Sequence, residues 1–128
     1  MRIEEEIRDD VRILRLSGEL DATDVDDVAA RLDAASTARP CDVVLNLEGV
    51  RFATVAVLGS VLRAQRRARK RGGKLVISAP SPFVGRLVHA FGLEDRMRAY
   101  PRDDDAIRHL RAGRDAAHPR APCTPTAA

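Results

Sequence analysis

Three histidines offer acid–base or metal chemistry: His89, His109 and His118. None has a cysteine nearby, and no serine sits in a GxSxG elbow, so nucleophilic catalysis has no partner set. A partly buried or surface histidine accounts for each. Gly72-Gly73-Lys74 has the look of a phosphate loop, but Leu75 stands where that loop needs Ser or Thr, and the glycines follow a helix instead of preceding one. Asp24, Asp26 and Asp27, and later Asp103-Asp104-Asp105, open helical segments. Carboxylates there complement the positive end of the helix dipole, which explains both groups without a metal. A second helical segment carries Arg63, Arg66, Arg67, Lys70 and Arg71 at i, i+3, i+4, i+7 and i+8. That spacing makes a basic stripe, either a solvated face or a surface for an anionic partner.

Those residues need elements to hold them, and 128 residues make about one domain. Charged residues are 32% and apolar ones 45%, a soluble globular balance with a modest core. Residues 2–7 and 11–16 read as an antiparallel hairpin with a tight turn at Arg8-Asp9-Asp10. Ser17 to Asp21 reads as a loop. A helix follows, capped by Thr23 or Asp24, with Val25, Val28, Ala29, Leu32 and Ala35 on one face, ending before Pro40. Residues 42–47 hold Val43, Val44, Leu45 and Leu47, a run suited to a strand covered on both faces. Residues 48–52 read as a connection. The second helix spans 55–71, buries Val57, Leu58, Val61 and Leu62, and stops at Gly72-Gly73.

A buried strand at 74–79 comes next. Ser81-Pro82 starts a third helix with Phe83, Val84, Leu87, Val88 and Phe91 as its stripe and Gly92 at its end. Residues 96–100 suit a short last strand. Asp103 or Asp104 caps a last helix with Ala106, Ile107 and Leu110, stopped by Gly113. Residues 114–128 have no periodicity and are expected to be disordered. The order β-β-α-β-α-β-α-β-α predicts an α/β fold, a mixed and mostly parallel sheet packed with about four helices.

Several function classes fall away. No apolar run nears the ~20 residues of a membrane span, so no membrane insertion is expected. The opening Met-Arg-Ile-Glu-Glu-Glu lacks the apolar stretch of a secretory signal. Two cysteines, Cys41 and Cys123, are expected to be reduced, which suits the cytoplasm. The charge excess, 22 basic residues against 19 acidic, is only +3. Tyr100 is the sole tyrosine and tryptophan is absent, so base-stacking residues are scarce and nucleic acid is not an expected partner. Nothing calls for a metal or a cofactor.

With these elements placed, residues 3–112 resemble the STAS domain, and within it the bacterial anti-sigma-factor antagonists. The resemblance rests on Leu16-Ser17-Gly18-Glu19-Leu20-Asp21, then Val44 to Phe52 (VLNLEGVRF), then Leu58-Gly59. Further marks are Arg71-Gly72-Gly73-Lys74-Leu75, Ser81-Pro82 and Phe91-Gly92-Leu93. Each is weak alone; their order and spacing together are specific. The resemblance implies a STAS domain over 1–113. It also implies a protein switch rather than an enzyme, with no small-molecule substrate. Its partner would be an anti-sigma factor that is itself a GHKL-type serine kinase; binding would free a sigma factor for transcription. In such switches the kinase phosphorylates a serine at the start of the second helix and breaks the complex. A phosphate brings up to about two negative charges to the contact surface.

This chain departs from that pattern. Where the family has Asp-Ser-Ser or Asp-Ser-Thr before Gly-Leu-Gly, it reads Thr54-Val55-Ala56-Val57-Leu58-Gly59. Ala56 falls on the phosphoacceptor and has no hydroxyl to modify. Thr54, on the aspartate, is either a helix cap or a displaced acceptor. Val57, on the glycine, either adds bulk to the partner face or turns inward. Asp21 matches a family loop position near the partner, and is either a contact or a cap. The expected partner-binding set is therefore Asp21 with residues 54–59. Two readings follow: an antagonist that phosphorylation does not reset, or a structural STAS subunit of a multiprotein or transporter-associated complex, the second motivated by the basic stripe and Val57.

Overall fold

The computed structural model describes residues 1–116. Its sheet has five strands in the order β1 (Arg2–Arg8), β2 (Val11–Leu20), β3 (Val43–Ala53), β4 (Leu75–Ser78) and β5 (Ala99–Tyr100). β1 runs antiparallel to β2 and every other neighbouring pair is parallel. Four helices, α1 (Val25–Thr37), α2 (Val55–Lys70), α3 (Pro82–Ala90) and α4 (Asp103–Ala116), complete the described part. The α/β expectation holds element by element.

Strand alternation divides the core in two. Leu14, Leu16, Val43, Leu45, Leu75 and Ile77 point to one face and meet Val28 and Leu32 of α1, Val57, Leu58 and Val61 of α2, and Val84 of α3. Val11, Ile13 and Val44 point the other way and meet Ala106, Ile107 and Leu110 of α4. A continuous apolar run such as Val43-Val44-Leu45 is what a strand covered on both sides requires. On the α4 side each strand's row ends in a polar residue: Arg15 after Ile13, Asn46 after Val44, Ser78 after Val76. Asp103, the first residue of α4, joins all three: Ser78 Oγ donates at 2.6 Å, Asn46 Nδ2 at 2.9 Å and Arg15 at 3.0 Å.

The structure revises four boundaries. Ser17 to Leu20 and Glu48 to Phe52, expected as loops, extend β2 and β3 and pair in parallel, Ser17 with Gly49 and Leu20 with Ala53. Register shifts near residues 15–19 mark this stretch as bulged. A Cβ on Gly49 would lie 2.6 Å from the Cβ of Ser17, so only glycine fits that crossing. Before α1 a short 3-10 turn, Ala22–Asp24, takes the cap: Asp21 accepts from Thr23 N–H, while Asp24, at the α1 N-cap, makes no side-chain cap bond. Helix α4 continues past Gly113 through Ala116, so 114–116 are helical; the rest of the expected tail lies outside the described residues. Phe91 leaves its expected stripe and is 54% exposed. Cys41 is disulfide-bonded, contrary to the expectation of a reduced thiol.

Candidate functional site

The ends of β2 and β3 and the start of α2 come together through backbone bonds. Thr54 N–H donates to Leu20 O at 3.1 Å, which seats the α2 N-terminus beside the Asp21 turn. Thr54 is the N-cap: its backbone is extended and its Oγ1 accepts from Val57 N–H at 3.4 Å. Its carbonyl also accepts from Val57 and Leu58 N–H at 3.1 and 3.2 Å. The threonine hydroxyl is thus engaged in the fold. Sequence reasoning left capping and phosphoacceptor roles open; the geometry supplies the cap.

Around this cap the side chains sort by helical phase. Val55 is 44% exposed and Ala56 is exposed with it. Val57 and Leu58 turn inward and are each only 2% exposed, in the same core as Leu20 and Ala53. Both were expected to contact a partner. Their helical phase instead directs both side chains onto the sheet, the inward course left open for Val57. Gly59 stays partly accessible, with Arg63 Nη1 3.3 Å from where a Cβ would sit. Ser60 is buried and its hydroxyl donates to Val25 O at 3.4 Å, linking α2 to α1.

One part of this face was not found from sequence, and Asp21, which was, lies beside it. Phe52, at the end of β3, is 43% exposed. Its ring packs on Phe83 of α3 with centroids 5.3 Å apart. Phe52 sits in a stretch read as a connection, so no periodicity marked it. Asp21 is exposed; its carboxylate accepts from Thr23 N–H at 2.9 Å and Thr23 Oγ1 at 2.5 Å, and its own N–H donates to Asp24 at 2.9 Å. The Thr23 hydroxyl bond first, then the Thr23 backbone bond, holds the Asp21 carboxyl below its usual pKa. The exposed residues flanking the α2 N-terminus thus include Asp21, Phe52, Val55 and Ala56, three apolar and one anionic.

The basic stripe does not survive as one surface. Arg67 donates to Asp33 of α1 at 2.8 Å, and Arg71 lies 3.6 Å from the same carboxylate. Those two close the α1–α2 contact. Arg63, Arg66 and Lys70 stay exposed, joined by Arg69 on the next turn. Gly72-Gly73-Lys74 is a helix-ending turn: Gly72 has φ +86°, Gly73 N–H donates to Ala68 O at 3.0 Å, and Lys74 N–H donates to Asp42 at 3.1 Å. The His89 imidazole contacts Glu94 at 2.6 Å on the surface, and His109 packs on Tyr100. His118 lies outside the described residues. Among the described residues no His, Cys, Asp or Glu cluster could hold a metal, and no helix is long and apolar enough to cross a membrane.

Comparison with known proteins bears on this arrangement directly. The profile of the STAS domain matches residues 2–106. The chain belongs to the STAS domain family. This STAS domain is 33% identical over 111 residues to an anti-sigma F factor antagonist of Paenibacillus polymyxa, covering 86% of this chain and 95% of that one. It is 28% identical over 102 residues to the anti-sigma-F factor antagonist RsfA of Mycobacterium tuberculosis, covering 77% and 79%. Its fold matches the anti-sigma factor antagonist SpoIIAA in its unphosphorylated form, with TM-score 0.70, 25% identity and 87% and 97% coverage.

Proposed function

We propose that this STAS domain is an anti-sigma-factor antagonist whose partner contact is not reset by phosphorylation at residue 56. It acts by protein–protein contact, in the cytoplasm, on an anti-sigma factor of the GHKL serine-kinase type. Asp21, Phe52, Val55 and Ala56 form the contact, with Gly59 at its margin. The observation that carries the reading is Ala56: it sits exposed on the first turn of α2, and its methyl group offers a kinase nothing to phosphorylate. The nearest hydroxyl, Thr54, accepts the helix-cap bond from Val57 N–H. Relatives that bear the antagonist name, matched over 95% and 79% of their lengths, support an anti-sigma factor as the partner.

The inward turn of Val57 removes the bulk that would have spoken for a purely structural subunit. That alternative keeps only the exposed arginines in its support.

The test is a pull-down with the intact protein from its own cell lysate, with and without ATP, read by mass spectrometry. The expected result is an ATPase-fold anti-sigma protein retained equally in both conditions. Ala56→Ser is expected to make retention fall when ATP is added. A phosphate found on any residue from 54 to 60 of the natural protein overturns the reading.

A further inference from the structure

Away from the Asp21–Ala56 face, two concavities meet at the far edge of the sheet. The first, about 590 Å³, lies between α3, β5 and α4 and is walled by Ile77, Val84, Val88, Met97 and Tyr100. The second, about 540 Å³, lies beside the end of α2 and the start of β4, and carries Arg69, Lys74 and Arg96. Arg98, Tyr100 and His109 line both, so the two form one continuous cleft. Each volume falls in the ~300–1,000 Å³ range of small-molecule sites.

Cations outnumber carboxylates in the lining of the cleft, four to two. Arg69, Lys74, Arg96 and Arg98 form no ion pair among the described residues, and Asp95 is the one carboxylate lining the basic half. At the apolar half Glu94 is already engaged by His89 at 2.6 Å. Tyr100 and His109 pack with ring centroids 5.0 Å apart, tilted by 32°, where the two halves meet. Unpaired cations at the mouth of an apolar chamber raise the local concentration of anions and offer hydrocarbon a dry wall.

From this juxtaposition we infer that the cleft binds a small anionic amphiphile, with a carboxylate or phosphate head on Arg69, Lys74, Arg96 and Arg98 and a single apolar chain between α3 and α4. A bare anion would leave the Ile77–Val88–Met97 walls unfilled. A neutral hydrocarbon would leave the cations unmatched. The site is independent of the antagonist reading, since none of its residues belongs to the Asp21–Ala56 face.

Tyr100 is the only tyrosine and there is no tryptophan, so tyrosine fluorescence, excited above the phenylalanine band, reports on this cleft alone. The test titrates the full chain with monomeric decyl phosphate and decanoate, and separately with inorganic phosphate, decanol and phosphatidylglycerol vesicles. Both amphiphiles should saturate the signal, with phosphate alone and decanol at least roughly tenfold weaker, a ratio typical of one charge-assisted contact. The pair Lys74→Ala and Arg98→Ala should weaken amphiphile binding roughly tenfold. Arg63→Ala with Arg66→Ala, cations outside the cleft, should leave it unchanged. Gly85→Leu should block the chamber without unfolding, because a Cβ at Gly85 meets nothing within 4 Å. Its circular dichroism should match that of the natural protein and its Tm should be no lower, since leucine favours a helix interior over glycine. Absence of saturation, equal binding of phosphate or decanol, response to vesicles only, or full binding by a folded Gly85→Leu variant overturns the inference.

Discussion

Ser78 Oγ donates a 2.6 Å hydrogen bond to Asp103 Oδ1 and so ties the end of β4 to the first residue of α4. Ser78 is fully buried, while the Asp103 side chain is 13% exposed. The same carboxylate takes Asn46 from β3 and Arg15 from β2, so one side chain connects three strands to the helix that covers them. Burial acts to raise the Asp103 pKa. The bonds from Ser78 and Asn46 and the charge of Arg15 outweigh it, and the net direction is downward.

A lowered carboxyl pKa makes stability depend on pH with a known sign. The Asp103 contribution is complete above the ordinary unfolded value of about 3.9 and is lost as pH falls through the folded value. Asp103→Asn should destabilise the protein by about 1–3 kcal/mol at pH 7, because the charge-assisted bonds from Ser78, Asn46 and Arg15 are weakened and Arg15 keeps only Glu6 as a charge partner. Urea unfolding of both proteins between pH 7 and pH 3 checks this. The gap should narrow below about pH 4; a gap constant with pH refutes the account.

Gly49→Ala tests the bulged β2–β3 pairing. The added methyl meets Ser17 Cβ at 2.6 Å and Ser17 Cα at 3.3 Å, too close for either strand to keep its path. The expected cost is about 1–3 kcal/mol, typical of overpacking. Ser17→Gly in the same chain should recover part of it, since it removes the nearer atom. A double-mutant cycle in urea that shows no coupling speaks against this contact.

Thr54→Ala removes the α2 cap. The cap bond is long at 3.4 Å, so the loss should sit near the low end of the usual range, about 0.5–1 kcal/mol. Thr54→Asp keeps an acceptor and adds a negative charge at the positive helix end, worth about 0.3–1 kcal/mol. Thermal unfolding should therefore rank Thr54→Asp at or above the natural protein and Thr54→Ala below it. The reverse order would mean that Thr54 does not cap.

Arg67 and Asp33 join α2 to α1 with both side chains about one-third exposed, at 35% and 36%. Such pairs contribute about 0.2–1 kcal/mol and weaken with salt. A double-mutant cycle with Arg67→Ala and Asp33→Ala should give a coupling in that range at low salt and a smaller one in ~1 M NaCl. A coupling insensitive to salt would show that the contact acts through packing of the arginine stem.

Local pattern carried much of this protein. The stripe Val28, Leu32 and Ala35 is buried as its spacing requires, and so is Ala106, Ile107 and Leu110. Ser81 caps α3 with Pro82 in its first turn, because that pair satisfies a free N–H and supplies a preset φ without help from the rest of the chain. Asp9 and Asp10 make the hairpin turn with φ of 54° and 61°, a conformation aspartate tolerates. The family resemblance was also legible, because its marks lie in these local segments and in their spacing.

Other features exist only as relations between distant segments. Ser17 to Leu20 and Glu48 to Phe52 have no strand periodicity of their own; they become strands by pairing with each other across a crossing that only Gly49 permits. Arg67 leaves the basic stripe because Asp33 of another helix lies opposite. Asp103 reads as a helix cap until Ser78, Asn46 and Arg15 converge on it from three strands. Val57, read as possible surface bulk, is taken inward by the sheet against which α2 packs. Periodicity reports which side of an element is apolar, and capping chemistry reports where it begins. Which atoms lie opposite is set by segments tens of residues away, so only the tertiary structure decides it.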